Sequence, residues 1–264
     1  MIRRLWALFR KELRTLFHAP IAYVILTAFL LLNGVYFFQN LIHYNRELFV
    51  YGVRTLGGAI ESGTIPLRVS VLQEVFLPMA GDMSLILLAL VPLLTMRVFA
   101  EERAQGTDEL LLTTPLRRWE IAAAKHLATY VFVGLMLASS AIYPAVAISK
   151  ENLGVGHLVA LYLGQLGYGL ALASIGLACS SLTRSQIVAA VLAYAIPFVI
   201  YDFRWIDPLV TESIAGVLQE VELRAHFERF AWGIVELRHG VYFLGVLLLG
   251  YTVSLASLDL GRAR

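Results

Sequence analysis

The chain has 264 residues, of which 59% are hydrophobic and only 15% charged. Soluble domains run closer to about half apolar and a quarter charged, so the composition and its long apolar runs indicate a polytopic membrane protein. A formal net charge of +2 supplies no bulk basic field for nucleic acid. A single cysteine, Cys179, excludes an intrachain disulfide and a multi-cysteine metal site. The histidines, His18, His43, His126, His157, His226 and His239, show no metal-ligand spacing, and there is no H-E-x-x-H, G-x-S-x-G or Walker loop.

Residues 2–18 predict an amphipathic helix. Ile2, Leu5, Trp6, Leu8, Phe9, Leu13, Leu16 and Phe17 fall on one half, and Arg3, Arg4, Arg10, Lys11 and Arg14 on the opposite arc. That pattern suits a helix lying in a membrane interface with its arginines toward anionic headgroups. A signal peptide would need an uncharged core soon after Arg3-Arg4, but charges recur as far as Arg14.

Six apolar spans are expected at about 21–38, 79–99, 121–148, 158–182, 187–201 and 240–258, with Pro92 a candidate kink. The fold class is therefore all-α, a single transmembrane domain over 1–264. Two longer connectors, about 40–77 and 202–238, balance sparse basic residues with carboxylates and are expected outside; 208–231 has a helical pattern. Both termini and the 97–125 segment carry clustered arginine and lysine, which predicts a cytoplasmic side shared by all three. The fourth span carries Gly164, Gly167, Gly169, Ala173, Gly176 and Ser180, a small-residue pattern for close packing within the bundle or across a dimer. No span shows a clear buried ion pair. Glu120 and Lys125, near the inner end of the third span, are expected to snorkel, and Asn33 and Gln165 to bond neighbouring helices. The lack of ionisable groups at the midplane counts against an ion-coupled carrier.

The segment "EERAQGTDELLLTTPLRRWE", Glu101–Glu120, is the most charged run of the chain. Gly106 is expected to end the preceding helix. Thr107 is a suitable N-cap, with Asp108 and Glu109 on the first turn of a short helix that continues through Leu110, Leu111, Leu112 and Thr113. Pro115 ends it and, with Thr114 as cap, is expected to open the next helix. The leucines can sink into headgroups or enter a groove on another subunit. The carboxylates Glu101, Glu102, Asp108 and Glu109 favour a subunit with basic groups beside an apolar pocket.

The stretch "RVFAEERAQGTDELLLTTPLRRWEIAAAKHLATY" from Arg97 resembles the signature of type-2 ABC exporter permeases. The similarity is to the subgroup that includes gliding-motility permeases and the nitrous-oxide-reductase maturation permease. "FRKELRTLFHAPIAYVILTAFLLLNGVYFF" from Phe9 and "HFERFAWGIVELRHGVYFLGV" from His226 resemble that subgroup's amino end and its last external segment and final span. The resemblance implies that 2–18 is an interfacial elbow helix and that 101–115 is a cytoplasmic coupling segment docking on a P-loop ATPase. Its implied coupling residues are Glu101, Glu102, Arg103, Gly106, Thr107, Asp108, Glu109, Leu110, Leu111, Thr113 and Pro115. It further implies a second permease copy or sister chain, a bacterial cytoplasmic membrane, and ATP and Mg²⁺ held by the partner rather than by this chain. On that reading the protein is a transport subunit with no catalytic residues and no metal of its own. A membrane anchor that recruits a soluble partner, or a membrane-embedded enzyme, would be the other classes; for the enzyme no cluster of catalytic polar groups can be assembled. In a Cys179→Ala background, Val50→Cys is expected to be labelled by impermeant thiol reagents from outside and Gln105→Cys only from inside; the reverse pattern would overturn the topology.

Overall fold

A computed structural model describes residues 2–56, 70–107, 116–148, 155–203 and 210–262. Its helices in chain order are α1 (Ile2–His18), α2 (Pro20–Leu56), α3 (Leu77–Thr95, preceded by a π-helical turn at Leu72–Phe76) and α4 (Ala100–Gln105). They continue with α5 (Arg118–Ser140), α6 (Ile142–Ile148), α7 (Val155–Leu182), α8 (Gln186–Val199), α9 (Glu212–Val221), α10 (Leu223–Ala231) and α11 (Leu237–Arg262). Among the described residues, five stretches are long and apolar enough to cross a membrane: Pro20–Val53, Leu72–Gln105, Arg118–Ala145, Gly156–Leu182 and Leu237–Leu260.

The expected fifth span differs. It is α8, a helix of 14 residues, about 21 Å long against the roughly 30 Å hydrocarbon layer. Its path is taken up by α10. The amides of Leu223 and Arg224 donate to the carbonyls of Ile200 and Tyr201, 2.9 and 3.1 Å away, and so satisfy acceptors that the end of α8 leaves open. From there α10 follows the amino-terminal half of α7: the Phe227 ring packs at a tilt against Tyr168, and Phe230 and Gly233 approach Gly164 and His157. The connector 202–238 is thus largely helical among its described residues. The connector 40–77 also begins as helix, because α2 runs 37 residues to Leu56. The third span stops at Ser140, and α6 resumes after Ala141. Pro92 lies inside α3, which continues to Thr95. The helix after the charged segment starts at Arg118, not at Pro115, because the Glu120 carboxylate accepts the Arg117 amide at 2.9 Å and closes the first turn there.

At the centre is α7, whose small residues admit its neighbours. A side chain at Gly164 would strike Phe230 of α10, at Gly169 Val133 of α5, at Gly176 Thr95 of α3; Gly250 of α11 in turn faces the Ser174 backbone. The close packing expected of the fourth span is therefore within one chain. Single polar contacts fix the heights: Gln165 Nε2 donates to the Ala80 carbonyl at 2.6 Å, Ser174 Oγ to Leu247 at 3.0 Å and Tyr194 Oη to Ala89 at 2.6 Å. Asn33, by contrast, bonds within its own helix, to the Phe29 carbonyl at 2.8 Å. Apolar side chains of α2, α8 and α11, among them Leu31, Phe38, Ile187, Phe198, Leu248 and Leu249, cover the outside.

A methyl group on Gly250 would lie 2.6 Å from the Ser174 carbonyl oxygen, whereas one on Gly245 meets nothing within 4 Å. Gly250→Ala is expected to destabilise the bundle by about 1–3 kcal/mol, and Gly245→Ala to be neutral. Both are read as thermal unfolding in detergent; equal effects would disprove the backbone contact between α7 and α11.

Candidate functional site

The charged helix ends meet at one face of the bundle. Here α1 crosses the start of α5, and Leu5, Leu8 and Phe9 turn toward it, joining Phe99, Ile121, Leu177 and Leu258 in an apolar cluster, while Leu16 packs against the main core of the bundle. Trp6, from the same predicted apolar half, is instead 62% exposed. On this inward stripe lies Glu12, the single acidic residue of α1, and it is buried. An apolar cluster cannot hold a lone carboxylate at tolerable cost, so a cation must accompany it.

That cation is Lys125 of α5, only 1% exposed. Its Nζ lies 2.9 Å from Glu102 Oε2 and 3.1 Å from Glu12 Oε2, and donates to the Val98 carbonyl at 3.0 Å. The Phe99 ring sits 5.3 Å from the ammonium. Three oxygens match its three donors. From the outer side Lys11 reaches Glu12 Oε1 at 2.9 Å and Glu102 Oε1 at 3.6 Å. Two lysines and two carboxylates therefore form a neutral cluster that joins α1, α4 and α5. Burial by itself pushes the Glu12 carboxyl up, but Lys125 and Lys11 more than offset it and hold it below the usual carboxylate value. A cavity of about 280 Å³ adjoins the cluster, lined on one side by Leu16, Ala22 and Leu94 and on the other by Arg97, Glu101 and Gln105.

Other polar contacts tie the neighbouring helix ends to this cluster. Between α3 and α4 the chain turns, and Ser180 of α7 bridges the break: its Oγ accepts the amides of Phe99 and Ala100, both at 3.1 Å, and donates to Met96 at 2.9 Å. Arg103 donates to the carbonyl and hydroxyl of Ser257 in α11, at 3.1 and 3.0 Å. Arg118 pairs with Asp259, and Tyr251 Oη donates to the Trp119 carbonyl at 3.2 Å.

The structure thus places the sequence-predicted residues as follows. Glu101 pairs with Arg97 one turn back, at 2.9 Å, while Glu102 joins the buried cluster and Arg103 reaches α11. Gly106 ends α4 with φ 68°, a left-handed conformation that a side chain disfavours. Thr107 Oγ1 donates back to the Glu102 carbonyl at 3.2 Å. Asp108, Glu109, Leu110, Leu111, Thr113 and Pro115 lie outside the described residues. Arg3, Arg4, Arg10, Lys11 and Arg14 are on the exposed side of α1. The expectation of no buried ion pair is corrected by Lys125 and Glu12. Neither Lys125 nor Glu120 snorkels: the first is enclosed by acceptors, and the second is buried as the cap of its own helix. The partners are 113 residues apart, so no local pattern links them; the usable signal was a lone carboxylate at the inward register of α1.

Lys125→Met leaves two carboxylates without their shared cation and is expected to cost about 3–5 kcal/mol, with Glu12→Gln added to it recovering part. Additive losses in thermal unfolding would break the coupling. The depressed Glu12 carboxyl contributes stability that is complete above its ordinary 4.5 and is lost as pH falls through the lower folded value, so Glu12→Gln should flatten that acid limb.

A family model described as ABC-2 family transporter protein matches residues 6–226, from α1 into α10. A comparison with curated proteins gives no match. Since the match takes in most of the chain, together with the helix ends that meet at the buried lysine, the protein belongs to the ABC-2 transporter family and is a membrane-spanning permease component of an ABC transporter.

Proposed function

We propose that this permease is an exporter subunit driven by a separate P-loop ATPase, which binds ATP and Mg²⁺ and docks on the 101–115 segment. The face bearing the Lys125 cluster is then cytoplasmic, in a bacterial cytoplasmic membrane, with α1 as an elbow helix in the lipid interface. A second permease copy or a sister chain completes the transporter. The sequence patterns of 9–38, 97–130 and 226–246 favour the exporter subgroup, and the arginines of the α1 face favour this orientation.

The observation that carries the reading is the buried Lys125 cluster directly beside the segment. A push on 107–115 enters α4, and from Glu102 it passes to Lys125 of α5 and through Lys11 and Glu12 to α1. Ser180 and Ser257 receive it for α7 and α11. A conformational equilibrium responds only to contacts that differ between its states. An ATPase that grips the segment differently with ATP bound would therefore tilt these helix ends together rather than bend one loop. Leu110 and Leu111 serve as the apolar anchor, Gly106 permits the bend, and Asp108 and Glu109 meet basic groups of the ATPase.

Leu110→Asp with Leu111→Asp should reduce capture of the partner ATPase in detergent at least about a hundredfold, the loss of two buried leucines, with membrane insertion intact. Undiminished capture would disprove docking at this segment.

A further inference from the structure

The cavity beside the Lys125 cluster has two unlike walls. Its volume of about 280 Å³ is at the small end of the roughly 300–1,000 Å³ found for ligand pockets. Leu16 of α1, Ala19 at the bend that follows it, Ala22 of α2, Leu94 of α3 and Ala128 of α5 form the apolar wall. The three alanines leave space that longer side chains would fill. Ala22 belongs to the apolar stretch Pro20–Val53, so this wall lies where the first membrane span begins. The polar wall is formed by Lys11 of α1 with Arg97, Glu101 and Glu102 of the segment after α3.

These four side chains keep part of their hydrogen-bonding capacity. Arg97 spends two of its five N–H groups on the Glu101 oxygens, at 2.9 and 3.3 Å, which leaves three. Lys11 Nζ donates to Glu12 at 2.9 Å and stands 3.6 Å from Glu102, beyond hydrogen-bond distance, so it retains donors as well. A carboxylate has about four lone-pair sites. Among the described residues the Glu101 carboxylate meets Arg97 alone, and that of Glu102 meets the two lysines, so both have sites left. Spare donors with positive charge therefore lie beside spare acceptors with negative charge. Over the whole lining, Lys11, Arg97 and Lys125 balance Glu12, Glu101 and Glu102. A lone anion would face the carboxylates unpaired, and a lone cation the lysine and arginine. A zwitterion matches both. Quaternary ammonium groups are recognised by aromatic rings, and the described residues lining the cavity include none. The cation that suits Glu101 and Glu102 is a primary ammonium, whose N–H groups need acceptors.

We propose that this cavity binds the headgroup of one ethanolamine phospholipid. Its phosphate lies on Arg97 and Lys11, its ammonium on Glu101 and Glu102, and its glycerol end against Leu16, Ala22 and Leu94. A soluble phosphoethanolamine carries the same charges but would leave the apolar wall uncovered. Assigning the lipid to the cytoplasmic leaflet rests on the reading of α1 as an elbow helix on that side; the chemistry of the site does not. Thr107, the start of the segment leading to 108–115, lines the same cavity. A bound headgroup thus braces α1 against the entry to that segment.

The test uses the full chain in detergent, washed free of lipid. Ethanolamine, choline and glycerol phospholipids of identical acyl chains are added in turn, and retention is read by native mass spectrometry. One ethanolamine lipid is expected to be retained at least about tenfold better than either other lipid, the order of hydrogen bonds to charged groups. Arg97→Gln removes a phosphate contact and Ala19→Leu fills the cavity; each should abolish the preference. Equal retention of the three lipids would overturn the site, as would a preference that persists in Ala19→Leu. Displacement by glycerophosphoethanolamine at equal concentration would overturn the lipid as the ligand. If a variant fails to fold, the three-lipid comparison on wild-type protein decides. No ATPase is present, so failure here leaves docking at 101–115 standing, and failed capture of the ATPase leaves the lipid site standing.

Discussion

The arrangement of the charged face depends on keeping one ammonium group dry. Lys125 is charged and enclosed, which is tolerable only because Glu12, Glu102 and the Val98 carbonyl all reach its Nζ. One oxygen belongs to α1 and the other two to the segment that follows α3, so the requirement to satisfy the lysine also fixes where those two stretches lie. α1 must present its single carboxylate inward, and the turn between α3 and α4 must turn Val98 toward α5. The apolar cluster of Leu8, Phe99, Ile121 and Leu258 then excludes water and strengthens the attraction. Neither half works alone: without the apolar cover the pair is worth little, and without the lysine the cover traps a carboxylate.

Away from this face the bundle is held by a different means. Across α7 the helices approach through glycines and alanines, and each interface has one or two hydrogen bonds rather than charges. Lipid offers no hydrophobic gain between apolar helices, so close backbone approach and directed polar contacts supply the association. This suits a component that changes shape, because surfaces joined by few polar contacts have alternative packings of similar energy, whereas the Lys125 cluster has one geometry in which all charges are matched.

Much of the architecture was legible in the sequence for a simple reason. Long apolar runs, Gly106 as a helix end and the small-residue face of α7 are local signals with local causes. The length of α8 was not, because Ile200 and Tyr201 look apolar enough to continue; only the distant amides of Leu223 and Arg224 reveal where the helix stops. Glu120 read as a snorkelling charge, yet its register three residues after Arg117 makes it a cap. Lys125 and Glu12 were missed because periodicity marks which face a residue occupies, not which distant charge it will meet. The His226–His239 contact is similar: thirteen residues separate the two rings, and the turn between α10 and α11 that joins them has no sequence marker beyond Gly233 at φ 79°.

The two faces are connected chiefly through α7. At one end Ser180 holds the break between α3 and α4; midway Ser174 lies against Gly250; at the other end Gly164 receives Phe230. The absence of a side chain at Gly250 lets α11 approach the Ser174 carbonyl and hydroxyl of α7 closely. By contrast α8 rests on buried Ala189, Ala193 and Pro197, with the Tyr194 hydroxyl on Ala89 as a directed contact to α3. It is held at its far end by α10, which in turn packs on α7 through Phe227 and Phe230. A tilt of α7 at the lysine cluster would therefore reach α10 through the Gly164–Phe230 contact and, through the amides of Leu223 and Arg224, the end of α8.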